Sequence, residues 1–229
     1  FILAIEGYDV ASNLKWVMSS NSIAVMPQPT CETWFMEGTL IPNYHYIEIK
    51  PDFSDLESRL QYYIEHIDER IEYLCEYVHS QGQSIELDFS VNSIIEIWDW
   101  YVKQIKIERY TRSELEEIAK EYPQWIREEI ISDDIKLSYE TLAICSDVAI
   151  YFAEVFRRQN ENDISWGFFT KPKKQYSVNE PVLLGFIGND CLNPRRTVYH
   201  CTLHYIDCEK RFTLYEMYKV WKKKVETNK

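Results

Sequence analysis

The chain predicts an α/β half-lobe, a parallel sheet with crossover helices, followed by a separate α+β domain. Three observations carry that expectation. Over the first 80 residues, apolar runs without polar alternation trade places with capped amphipathic segments. A polar stretch containing a glycine, "VHSQGQSIELDFS" at 78–90, resets the pattern. Beyond it, runs of helix-like sequence precede runs of strand-like sequence. The chain is therefore divided into residues 1–82 and 84–229.

"FILAI" reads as a buried strand, broken by Gly7. Asp9 or Ser12 caps the helix that follows, and Leu14, Val17 and Met18 give that helix an apolar stripe. "SIAVMP" is a second buried strand, stopped by Pro27 and Pro29. A short amphipathic turn, "CETWFMEG", leads into a loop with Pro42, and "YHYIEI" then alternates like a strand. In "SDLESRLQYYIEH", Ser54 and Glu57 form a capping box that starts another helix. Strand, helix, strand, helix in short order is the signature of a Rossmann-like parallel arrangement.

In the second part, "SIELDF" reads as a fresh strand, and "VNSIIEIWDWYVKQI" and "TRSELEEIAKEYPQWIREEI" as amphipathic helices. "LSYETLAICSDVAIYFAEVFRRQ" is apolar almost all round, which marks a helix buried inside a domain. "ISWGFFT", "PVLLGFI" and "TVYHCTLHYID" read as strands, and "TLYEMYKVWKKK" as a closing helix with a basic end.

A hydrophobic content of 45% lets 229 residues bury a sizeable core. The formal net charge of −12 argues against a non-specific nucleic-acid binder, because phosphate contacts need a basic surface. No apolar stretch approaches the ~20 residues of a membrane-spanning helix, and no basic-then-apolar leader is visible, so a cytoplasmic location is expected. The chain opens at Phe1 in the middle of an apolar run, which suggests the tail of something longer or a processed product. Six cysteines without a C-x-x-C pair suggest reduced thiols. A zinc set from Cys191, His200, Cys201, His204 and Cys208 has spacings that match no common knuckle.

The opening turn has the strongest chemical claim. A helix N-terminus beyond the carboxyl end of a strand offers unpaired N–H groups and a partial positive charge, both suited to a phosphate. Gly7 lets the backbone approach closely, Asp9 sits in the same turn, Ser12 and Asn13 supply hydrogen-bond donors, and Lys15 adds a compact positive charge. The competing reading is a packing turn of the kind every βαβ unit contains.

The series "GYDVASNLKW", "SSNSIAVMP", "ETWFMEG", "PNYHYIEI" and "DFSDL" resembles, in order and spacing, the C-terminal part of family 90 glycosyltransferases. The similarity leans to the bacterial lipopolysaccharide-modifying branch rather than to the protein O-glucosyl- and O-xylosyltransferases. It spans residues 1 to about 80, roughly a third of the chain. The resemblance implies a two-lobed enzyme that uses a nucleotide sugar, with no metal and no cofactor beyond that donor, acting on a glycan or lipopolysaccharide acceptor. It puts the donor diphosphate at Gly7, Asp9, Ser12, Asn13 and Lys15, and the sugar-side cleft near Glu32, Trp34 and Glu37. Asn13 stands where the eukaryotic members carry an arginine, a departure that leaves Lys15 as the nearest cation. Glu32, Trp34 and Glu37 read equally well as a helix packed on the sheet, and His45 as a strand residue with a satisfied ring. By the same resemblance, the lobe that carries the catalytic base is not in this sequence. Catalysis needs donor and acceptor held together, so the segment alone is expected to be inactive.

Through "LDFSVNSIIEIWDWYV", "ICSDVAIYFAEVF", "ISWGFFTKP" and "NEPVLLGF…LNPRR", residues 84–229 resemble an uncharacterised bacterial protein family, which implies no activity. Asp147 and Glu154, two helical turns apart, share a face of the buried helix and suit acid–base or metal work; pairing with Arg157 or Arg158 is the structural alternative. "KPKK" (171–174) and "NPRR" (193–196) are basic spots that solvated loops explain. The alternative function is an interaction or immunity-type module in 84–229, with the first segment as scaffold. A third reading joins two unrelated pieces.

Overall fold

A computed structural model describes residues 2–3, 14, 24–33, 36–42, 44–52, 54–120, 123–132, 134–169, 177, 180–186, 188, 190–207 and 212–226. The architecture is mixed α/β, with short sheets among eight α-helices in the described residues.

The first sheet has three strands, β1 (Ile2–Leu3), β2 (Ala24–Met26) and β3 (Tyr46–Glu48), in the order β1-β2-β3. Both pairings are parallel, with Ile2 beside Ala24 and Ala24 beside Tyr46. The three strands lie within "FILAI", "SIAVMP" and "YHYIEI". Leu14, helical and buried, packs with Ala24, Met26, Tyr46 and Leu40 in a small apolar cluster. Val17 and Met18 lie outside the described residues.

Two helices follow, α1 (Leu56–Glu65) and α2 (Ile67–Ser80). The expected cap at Ser54 is not the one found. Asp55 holds the N-cap position, and its Oδ1 accepts instead from the Lys50 amide at 2.7 Å. The α2 residues Ile67, Ile71, Leu74 and Val78, spaced at three and four, bury their face in the large core built by residues beyond 90. "SIELDF" is a second correction: 83–88 form no strand, although Ile85 and Leu87 rest against that core.

Helix α3 (Val91–Tyr101) is capped by Ser90, whose side chain accepts from the Ser93 amide. Strands β4 (Ile107–Arg109) and β5 (Ile135–Leu137) form an antiparallel pair that sequence patterning did not reveal. Between them stand α4 (Arg112–Lys120), a 3-10 turn at Gln124–Ile126 and α5 (Arg127–Ser132). Pro123 cannot continue a helix, so the expected single helix over this stretch is split.

Helix α6 (Tyr139–Arg158) is the centre of the molecule's larger core, as its all-round apolarity predicts. Tyr151, Phe152, Ala153, Val155 and Phe156 are each fully buried. Strands β6 (Ser165–Gly167) and β7 (Val182–Leu184) pair antiparallel. Gly185 ends β7 at φ +113°, where a Cβ would lie 1.9 Å from the Asp163 carbonyl oxygen. The expected strand "TVYHCTLHYID" is instead helix α7 (Pro194–Ile206). Asn193 caps it and Pro194 fills its first turn, and Val198, Cys201 and Thr202 bury one face at helical spacing. Helix α8 (Leu214–Glu226) closes the chain as expected. Among the described residues, no helix is long and apolar enough to cross a membrane.

Candidate functional site

In an open parallel sheet, ligands are met beyond the carboxyl ends of the strands. Here β2 ends at Met26, whose carbonyl accepts from the Ile49 amide at 3.0 Å, and the chain leaves through Pro27 and Pro29. The segment after it holds two carboxylates close together. Glu37 is 1% exposed. Its Oε2 accepts from the Thr33 amide and its Oε1 from the Thr33 hydroxyl, each at 2.7 Å. Between these partners, Met36 adopts a left-handed conformation with φ 57°, a costly backbone for a residue with a Cβ. Glu37, Gly38 and Thr39 then form a single 3-10 turn.

Glu32 is exposed, and its carboxylate lies over Gly38: a Cβ there would sit 3.2 Å from Glu32 Oε1. The two acids thus occupy opposite positions. Glu37 is turned inward and holds a turn, while Glu32 faces solvent. The Thr33–Glu37 spacing of four residues is a signal that sequence reading passed over. His45 Nδ1 accepts from the Ile41 amide at 2.8 Å, which closes the turn ahead of β3. Gly7, Asp9, Ser12, Asn13, Lys15 and Trp34 all lie outside the described residues.

The second carboxylate pair has a different character. Glu154 is 2% exposed and accepts four hydrogen bonds: from Arg157 Nε (2.8 Å) and Nη2 (2.9 Å), Arg158 Nε (3.0 Å) and Trp166 Nε1 (2.6 Å). Burial pushes its carboxyl up, but these donors outweigh burial and hold it below its ordinary value. Arg158 continues to Asp68 on α2 at 2.7 Å. Asp147 meets Arg70 of α2 at 2.5 Å, yet burial wins and its carboxyl is raised. Both acids serve as ties between α6 and its neighbours.

Cys145 and Cys201 are buried cysteines, while Cys31, Cys75 and Cys191 are half-buried. Among the described residues, no group of three or more His, Cys, Asp or Glu is placed to hold a metal; Cys208 lies outside them, as does "KPKK". In "NPRR", Asn193 caps α7 and Arg196 pairs with Glu180 at 3.1 Å.

The chain is 51% identical over 63 residues to the O-glucosyltransferase LpsA of Dichelobacter nodosus. The match covers 28% of this chain and 20% of that relative, so the chain spans about a fifth of the relative's length. No protein-family model matches the chain, and no solved structure matches it.

Proposed function

We propose that residues 1–82 form the donor-binding portion of a nucleotide-sugar-dependent glycosyltransferase of the family 90 type, which passes a sugar to a cell-surface polysaccharide or lipopolysaccharide. The observation that carries this reading is the 51% identity to an O-glucosyltransferase. The parallel β1-β2-β3 sheet, with Leu14 packed on it, supports a Rossmann-like half-lobe of the kind that seats a nucleotide.

On this reading the turn after β1 receives the diphosphate. Gly7 and Asp9 shape its approach, Ser12 and Asn13 donate to phosphate oxygens, and Lys15 neutralises charge. Glu32 faces the sugar and accepts from its hydroxyls, with Trp34 as an apolar wall. Glu37 keeps the 33–39 turn in place through Thr33 and has both oxygens engaged in doing so.

Titration of UDP into the protein, followed by NMR, tests the seat. Saturable shifts are expected in the amides of residues 7–15, and Lys15→Ala is expected to weaken binding about tenfold, the size of one charge-assisted contact. Unchanged affinity in that variant removes Lys15 from the site. An absence of saturable binding removes the seat.

A further inference from the structure

Far from the parallel sheet in sequence, α4 and α5 stand off from α6 and α7 along a cleft of about 790 Å³. That lies within the roughly 300–1,000 Å³ typical of small-molecule sites. Its aliphatic lining is Leu115 and Ile118 from α4, Ile130 from α5, and Leu142 and Ala143 from α6. The lining from α7 is polar, through Arg195, Arg196, Tyr199 and His200. Side chains at the cleft keep large apolar groups open to water, with Ile135 37%, Tyr139 39% and Tyr199 38% exposed.

The charges around the cleft do not cancel evenly. Lys136 Nζ is shared by Glu114 at 3.5 Å and Glu108 at 4.0 Å, so the hairpin end retains negative charge. Glu180 is paired with Arg196 at 3.1 Å. Arg195 is the remaining cation, and no carboxylate among the described residues lies within ion-pair distance of it. Its positive field reaches the buried Cys145 thiol on the cleft floor. Burial pushes that thiol up to about 11, so the floor stays neutral. An unpaired guanidinium at one end of an aliphatic trough is complementary to a molecule with the same division.

We propose that this cleft binds a small amphipathic anion, an apolar body lying on the Leu115–Leu142 side with one carboxylate or phosphate held by Arg195. Tyr199 and His200 stand beside the head group as further donors. The assignment is independent of glycosyl transfer by residues 1–82.

Decanoate, decyl phosphate and decanol titrated into the whole chain test it, read by the amide NMR signals of Leu115, Leu142 and Tyr199. Saturable shifts are expected with decanoate, decyl phosphate or both, and that comparison identifies the head group. Decanol is expected to bind about tenfold more weakly than the preferred anion, since it lacks the charge-assisted bond. Arg195→Met keeps an unbranched stem without the guanidinium and is expected to bring the anion down to the decanol level. Arg109→Met, which removes a cation of β4 that is paired with Asp134 instead, is expected to leave binding unchanged. Ala143→Phe fills the trough and is expected to block all three ligands, with melting temperature as the folding control. No saturable shift with either anion, equal affinity for decanol, or equal losses in the Arg195 and Arg109 variants would each overturn the assignment.

Discussion

Glu154 and Asp147 sit two turns apart on α6, each with a guanidinium alongside. Four donors from three side chains converge on Glu154, so its ionised form is favoured in the fold. A carboxyl lowered by folding contributes stability above its ordinary range and loses it as pH falls through the folded value. Asp147 has the opposite sign. Its ion-pair partner among the described residues, Arg70, is half exposed, and burial raises the carboxyl, so ionisation at neutral pH costs stability that returns as pH falls. Glu154→Gln is expected to lower stability at pH 7 by about 2–3 kcal/mol, because it breaks a buried charge network. Its deficit should shrink toward pH 4. Asp147→Asn is expected to cost under about 1 kcal/mol at pH 7, with a deficit that grows toward pH 4. Urea unfolding across pH 4–8 reads both trends, and parallel trends would refute the assignment of signs. The Glu154–Arg157–Arg158 pairing was legible in the sequence because it is local, at three and four residues on one helix. Arg70, Asp68 and Trp166 were not, since they arrive from α2 and β6.

Helix α7 shows how element type is decided by its ends. "TVYHCTLHYID" is rich in Val, Tyr and Thr, residues that favour strands, and its apolar residues almost alternate. Asn193 and Pro194 overrule that pattern. The Asn193 side chain accepts from the Arg196 amide at 3.1 Å, and Pro194 presets the first turn. The same amide group donates to Ser177 Oγ at 3.2 Å and to Glu180, so the cap also anchors the segment before β7. Asn193→Ala is expected to lower stability by about 1–2 kcal/mol. Asn193→Asp keeps a good capping acceptor but sets a carboxylate against Glu180, and should do no better than alanine. Chemical denaturation distinguishes these outcomes; full stability in the aspartate variant would mean that the cap alone matters. The three parallel strands were easier to foresee, because two are uninterrupted apolar runs stopped by Gly or Pro and the third alternates as a strand should. "SIELDF" alternates as a strand should, yet no strand among the described residues pairs with it, and Ile85 and Leu87 simply lie on the core.

At the scale of the molecule, the described residues include two apolar clusters whose extent follows packing rather than composition. The smaller holds Leu14, Ala24, Met26 and Tyr46 around the parallel sheet. The larger surrounds α6 and includes α2, although the polar break in the sequence, 78–90, falls at the far end of α2. Long-range contacts decide such membership: Arg70 and Asp68 join α2 to α6 across 77 and 90 residues of chain. That is why the partnership of α2 was not readable in the sequence. The proposed donor turn rests on its motif alone, since its residues lie outside those described. Leu74, 2% exposed and within the larger cluster, offers a direct test. Leu74→Ala removes a buried isobutyl group and leaves a cavity, which costs roughly 2–5 kcal/mol. If α2 unfolds with α6, hydrogen exchange of the Val148 and Phe152 amides in the whole chain should accelerate by the full amount of that loss. The Val25 and Ile47 amides should keep their rates, because they pair in the parallel sheet on which the other cluster is built. Equal acceleration in both regions would mean that one cooperative unit spans the chain, with the sheet and the α6 core opening together.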